Sequence, residues 1–224
     1  WVCQAYNCLK LWPSNTPKAK IHTERLQSRA SIIQVLSGRK VQLSALAFLL
    51  YVGLEVAVGF WLASYLVAVQ QFDIRSAAVA TSLYYGAIMA GRLLTGFLSF
   101  GLSGAMLIRL GMCMSLAGAL VLGMGISDAV SVAGTILIGL GFAPVYPNLI
   151  HATPVRFASE SSQVMSIQMA AGYIGAAIFA PLIGLLGSWF STLAVFVWVL
   201  LAAILIFFVL SEWLDRQSPI KIKG

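Results

Sequence analysis

The stretch YVGLEVAVGFWLASYL, residues 51 to 66, sets one carboxylate, Glu55, at the centre of an apolar run from 41 to 69. An ionisable side chain at mid-membrane costs about 3 kcal/mol on insertion scales, so it normally faces protein or a wet cavity. Two chemistries suit it there. As a protonated acid it would bond a neighbouring helix, the form that burial favours; as a working group it would bind a hydroxyl-rich solute or carry a proton. On a helix, Tyr51, Glu55, Val58 and Leu62 share one face, and Trp61 and Tyr65 share the next. Rings beside a carboxylate suit a sugar or another polar solute, and core packing accounts for each ring equally well. Asn148 and Gln168 are the other uncharged polar candidates for a cavity wall. Arg92 lies about two turns from one end of its run and can reach the membrane interface along its stem. We expect it, with Arg109, at a cytoplasmic gate.

Backbone chemistry adds one candidate. In GFAPVYPNLI, Pro144 and Pro147 each remove a helical donor, which frees carbonyls that need other partners or a wet cavity. Broken helices of this kind line many transport sites. Enzyme chemistry finds no support. The sequence has no GxSxG elbow, phosphate loop or dinucleotide fingerprint, and neither His22 nor His151 stands in a metal-spaced cluster. We therefore expect no catalytic residues, no metal and no cofactor. Cys3, Cys8 and Cys113 lack paired spacing and read as free thiols.

The elements that must hold these residues are set by composition. Of 224 residues, 60% are hydrophobic and 9% charged, which excludes a single soluble domain and points to an all-α polytopic membrane protein. Six runs are long enough to span a bilayer core: 41–69, 76–100, 105–126, 130–150, 164–187 and 189–210. They do not alternate as barrel strands would. The net charge of +7 is topology information and not a nucleic-acid surface: seven of the fourteen basic residues precede position 41, and Arg216, Lys221 and Lys223 follow the last run. With Arg109 and Arg156 on that same side, both termini are predicted to be cytoplasmic. Residues 1–40 read as a basic linker with a short amphipathic helix near 23–36, residues 41–210 as the bundle, and 211–224 as a tail. Gly172, Gly175, Ala176, Ala180, Gly184 and Gly187 give the fifth run a close-packing face, and Trp189 fits an interfacial anchor.

AGRLLTGFLS, followed by a short loop and IRLG, resembles the loop between the second and third helices of a half of the major facilitator superfamily. Against the pattern G-R-x-x-x-G-x-L-S-D-R-x-G-x-R-R, Gly91, Arg92, Gly96, Leu98 and Ser99 match; Phe100 and Gly101 replace the Asp-Arg pair, and Arg109 is what remains of the later basic cluster. With GLGFAPVYPNLIHATPVRF and QMAAGYIGAAIFAPLIGLL, the opening stretch resembles the fucose-permease-like branch, and within it the fungal transporters grouped with the bypass-of-stop-codon proteins, over about residues 38–210. That resemblance implies the carboxy-terminal six-helix half of a twelve-helix secondary transporter, built as two inverted three-helix repeats. It implies a small polar solute, a sugar by analogy, moved by alternating access with or without a coupled proton. The partners would be the bilayer and an amino-terminal bundle, in the plasma membrane or an internal one such as the vacuole. The competing expectation is a truncated or remnant membrane protein that binds a partner and transports nothing by itself.

Overall fold

The computed structural model describes residues 35–217. Most of the expected basic linker, including nearly all of the helix anticipated over 23–36, lies outside them. The described residues are helical, with no strand among them. The order is α1 (Arg39–Gln70), α2 (Ile74–Leu98), α3 (Gly104–Met124), α4 (Asp128–Phe142), α5 (Val145–Phe157), a 3-10 turn (Ala158–Glu160), α6 (Ser161–Trp189) and α7 (Val195–Gln217). Among the described residues five helical stretches are long and apolar enough to cross a membrane, one of them the 62 residues from Asp128 to Trp189. At 1.5 Å per residue that stretch would extend about 90 Å, three times a bilayer core, so it must double back. It does so at the 3-10 turn, where Ala158 takes a positive φ of 29°.

Short connections make sequential neighbours antiparallel. α1 stops at Gln71, whose φ of 61° is left-handed, and the Phe72 amide closes the turn on the Leu66 carbonyl at 3.1 Å. Asp73 then caps α2 by accepting from the Arg75 and Ser76 amides. Hydrogen bonds from Ser76, helped by the Arg75 amide, hold its carboxyl below the usual carboxylate range. Ser103 and Ser127 cap α3 and α4 in the same way. The last helix runs to Gln217, seven residues past the apolar run, because Glu212 and Asp215 find cationic partners on α3 and α5.

Packing exchanges helices between the two halves of the bundle. α1 lies against α6 and α7, while α4 lies against α2 and α3. Two glycine seams allow this. A Cβ on Gly53 would meet the Gly175 backbone at 2.9 Å, and Gly172 and Gly184 admit Val52 and the Trp61 ring, so the small face expected on the fifth run packs on α1. The second seam was not anticipated. Gly104, Gly111 and Gly118 recur every seven residues on α3 and face Asn148, Gly141 and Gly134 in antiparallel register. Seven residues is two turns, which keeps one close-approach stripe on one side of a helix. The outer faces stay apolar: Val79, Leu83, Met89 and Phe97 on α2, and Tyr173, Ile178 and Leu185 on α6, are exposed. Exposed apolar area of this extent marks a lipid or partner surface.

Candidate functional site

Glu55 stands at mid-length of α1, and three hydroxyl or cationic groups converge on it. Arg92 of α2 donates through Nη2 to Oε1 at 3.0 Å. The Tyr51 hydroxyl, one turn back on α1, bonds Oε2. Tyr84 of α2 donates to the Glu55 backbone carbonyl at 3.0 Å, which pins the helix at that level. Tyr51 is buried among Phe142 and Phe207, whereas the side chains of Glu55 and Arg92 keep 20% and 44% of their exposure. The ion pair therefore opens on the bundle surface with a buried hydroxyl beneath it. Arg92, expected at a cytoplasmic gate, is long enough to reach a helix end. Its guanidinium turns instead to the carboxylate, and lies 5.9 Å from the centroid of the Tyr146 ring on α5. A carboxylate within reach in a low-dielectric setting outcompetes a distant interface.

The helix break meets the same cluster. α4 ends at Phe142 and α5 begins at Val145, with Ala143 and Pro144 between them still in the right-handed region, so the interruption is a bend rather than an unwound segment. The Phe142 carbonyl accepts from the buried Tyr51 hydroxyl at 2.9 Å. The Pro144 carbonyl accepts from the Asn148 amide side chain at 2.6 Å. Asn148 thus serves the break itself. It also lines a cavity of about 180 Å³ between α3, α5 and α7 with His151, Arg156 and Asp215, at the bundle end away from Trp61.

The remaining candidates lie at other levels. Gln168 is fully buried, donating to Ser44 at 2.5 Å and accepting from Thr153 at 3.0 Å, so it ties α1, α5 and α6 together and lines no opening in this conformation. It sits level with Ser44, eleven residues and so about 16 Å from Glu55 along α1. Trp61 donates to the Ala180 carbonyl at 2.8 Å, locking α1 on α6 about 9 Å beyond Glu55 on the opposite side. Arg109 pairs with Glu212 of α7, and Arg156, nearly buried, pairs with Asp215. Neither acid lies within an apolar run, so the sequence alone does not mark them. Their spacing in SEWLDR, three apart on one helix, places both on the face that meets the arginines. Among the described residues no three His, Cys, Asp or Glu side chains gather as metal ligands.

Known structures share this helical fold. A crystal structure of the major facilitator superfamily transporter FucP in its outward conformation superposes with a TM-score of 0.71 at 16% identity, over 83% of this chain and 45% of that one. A single-substitution variant of the E. coli fucose:proton symporter FucP gives 0.69 at 16% identity, over 84% and 45%. The chain has a major-facilitator-like fold. It spans less than half the length of the structures it matches. No family profile and no curated protein sequence matches it.

In a major-facilitator-like bundle of this kind the bend in α4–α5 can be tested directly. Replacing Pro144 and Pro147 together by Ala restores two helical donors. The double variant is expected to insert and fold, to straighten the segment and, under the transporter reading proposed below, to slow solute uptake several-fold. Unchanged uptake per folded molecule would leave the prolines a packing role only.

Proposed function

We propose that this chain is the carboxy-terminal six-span bundle of a secondary transporter that moves a small polar solute, a sugar in the first instance, by alternating access coupled to protons. The observation that carries the reading is the Glu55–Arg92 pair at mid-length of α1, partly open and backed by the Tyr51 hydroxyl. Such a pair inside apolar helices is expensive to insert and is retained where it binds solute or moves charge. Under this reading α4 and α5 are one bent span, giving six crossings with both termini in the cytosol. Glu55 binds the solute or its proton, Tyr51 and Arg92 hold it, and Trp61, Asn148 and Gln168 shape the path. The Arg109–Glu212 and Arg156–Asp215 pairs close the cytoplasmic end. The likeness to a fucose:proton symporter supports sugar as the first class to try. The amino-terminal bundle would supply the other wall, and exposed α2 and α6 are the faces that would meet it.

Uptake into proteoliposomes tests this against a panel of monosaccharides and other polar solutes. The chain joined to an amino-terminal six-helix bundle is expected to accumulate one solute saturably, and residues 1–224 alone to accumulate none. Saturable, competable uptake by 1–224 alone refutes the half-transporter reading. Failure of the joined form on every solute would favour a remnant with a structural role.

A further inference from the structure

We infer that Tyr51 relays the protonation state of Glu55 to the bend between α4 and α5. The relay deepens the transporter reading above and names how its acid would be linked to the moving backbone.

The inference follows from counting protons. A phenol carries one O–H. Tyr51 lies within hydrogen-bond reach of two groups at once, Glu55 Oε2 and the Phe142 carbonyl. An ionised carboxylate and a carbonyl are both acceptors only, so one hydroxyl cannot satisfy the two together. Both contacts are hydrogen bonds only when Glu55 carries a proton on Oε2. Its O–H then donates to the phenol oxygen, and the phenol O–H donates to Phe142. When Glu55 is ionised, the charge draws the phenol proton to itself, since a hydrogen bond to a charged acceptor is about twice as strong as a neutral one. The Phe142 carbonyl then loses its buried donor. The proton taken up comes from water and ends on Oε2, and the phenol stays neutral throughout.

That carbonyl is well placed to respond. It belongs to the last residue of α4, beside a segment in which Pro144 and Pro147 supply no amide protons. A buried acceptor stripped of its donor is unfavourable, which biases the bend toward an arrangement that supplies the carbonyl another partner. Arg92 meets α5 at the Tyr146 ring and not through a hydrogen bond to the Phe142 carbonyl. Protonation removes its ionic partner at Oε1 while Tyr146, four residues beyond Phe142 and on α5, still faces its guanidinium. The groups that face Glu55 are therefore Tyr51 on its own helix, Tyr84, Tyr85 and Arg92 on α2, and Tyr146 of α5 behind Arg92. Of these, Tyr51 alone bonds both the acid and the bend.

Carbonyl-13C phenylalanine combined with 15N alanine marks just three peptide bonds in this chain, 142–143, 157–158 and 179–180. The Phe142 signal, assigned by its loss in Phe142→Leu, is followed by NMR from about pH 4 to 8 in residues 1–224 in nanodiscs. The Glu55 carboxyl is followed by infrared difference spectroscopy, with Glu55→Gln as the blank. Wild type is expected to show the Phe142 carbonyl moving with the same midpoint as the Glu55 band, while the other two carbonyls stay fixed. In Tyr51→Phe, which removes one oxygen from an otherwise unchanged ring, Glu55 still titrates and the Phe142 shift is lost. In Glu55→Gln the Phe142 signal no longer moves. A Phe142 carbonyl that stays put in wild type, or that still moves in Tyr51→Phe, overturns the relay. The signals are read without any solute, so failure of the relay and failure of the transporter reading are separate results.

Discussion

Replacing Glu55 by Gln is expected, under the proposed proton-coupled reading, to abolish uphill accumulation while leaving exchange of solute across the membrane intact. Gln keeps the length and one acceptor for Arg92, whose Nη2 now lies 3.0 Å from Oε1, but it cannot ionise. At one proton per solute, a gradient of one pH unit is worth about 1.4 kcal/mol, or tenfold accumulation. The accumulation ratio should therefore fall from about ten toward one, with the exchange rate within a few-fold of wild type. Ala removes both the charge and the bond and leaves the Arg92 guanidinium without its carboxylate. It is expected to lower both exchange and the amount of folded protein. Uptake normalised to surface protein separates the cases, and wild-type accumulation in Glu55→Gln at every pH would remove Glu55 from the coupling role.

The second large effect concerns the α3–α4 seam. A Cβ on Gly141 would meet the Ser115 amide nitrogen at 2.6 Å, and one on Gly134 the Leu122 amide nitrogen at 2.7 Å. Both obstacles are backbone and cannot swing aside. Leu at either position must push the helices apart, and overpacking of this kind costs about 1–3 kcal/mol or more. Gly86 and Gly96 have nothing within 4 Å of a built Cβ, so Leu there is expected to be silent. Thermal unfolding in detergent reads the contrast. Gly141→Leu and Gly134→Leu should lose most monodisperse protein while Gly86→Leu keeps it, and equal stability across the set would mean that the close approach does not hold the bundle.

Particular residues show how far the sequence could be read. The apolar runs reveal the helices because length and hydropathy alone decide whether a helix can cross a bilayer. The small face of α6 was legible for a related reason: in lipid, apolarity carries no inward direction, whereas a stripe of glycines does. Gly104, Gly111 and Gly118 were legible in principle by their sevenfold spacing. What stayed hidden were the pairings. Glu55 and Arg92 are 37 residues apart, and joining them requires the antiparallel register of α1 and α2. Asp215 meets Arg156 across 59 residues and Glu212 meets Arg109 across 103. Gln168 illustrates the converse. A polar residue in an apolar run suggests a cavity wall, and in this conformation Gln168 donates to Ser44 and accepts from Thr153 between helices. Such ties between helices become visible only with tertiary contacts.

The central claim is that Glu55 links solute movement to protons, and proton flux itself tests it most directly. Vesicles carrying the chain joined to an amino-terminal bundle, loaded with a pH-sensitive dye and held at equal pH on both sides, are given the solute identified by the uptake panel. Wild type is expected to acidify the lumen as solute enters, and Glu55→Gln to admit solute with no change in pH. Solute entry in wild type without acidification, or acidification that persists in Glu55→Gln, would contradict the claim.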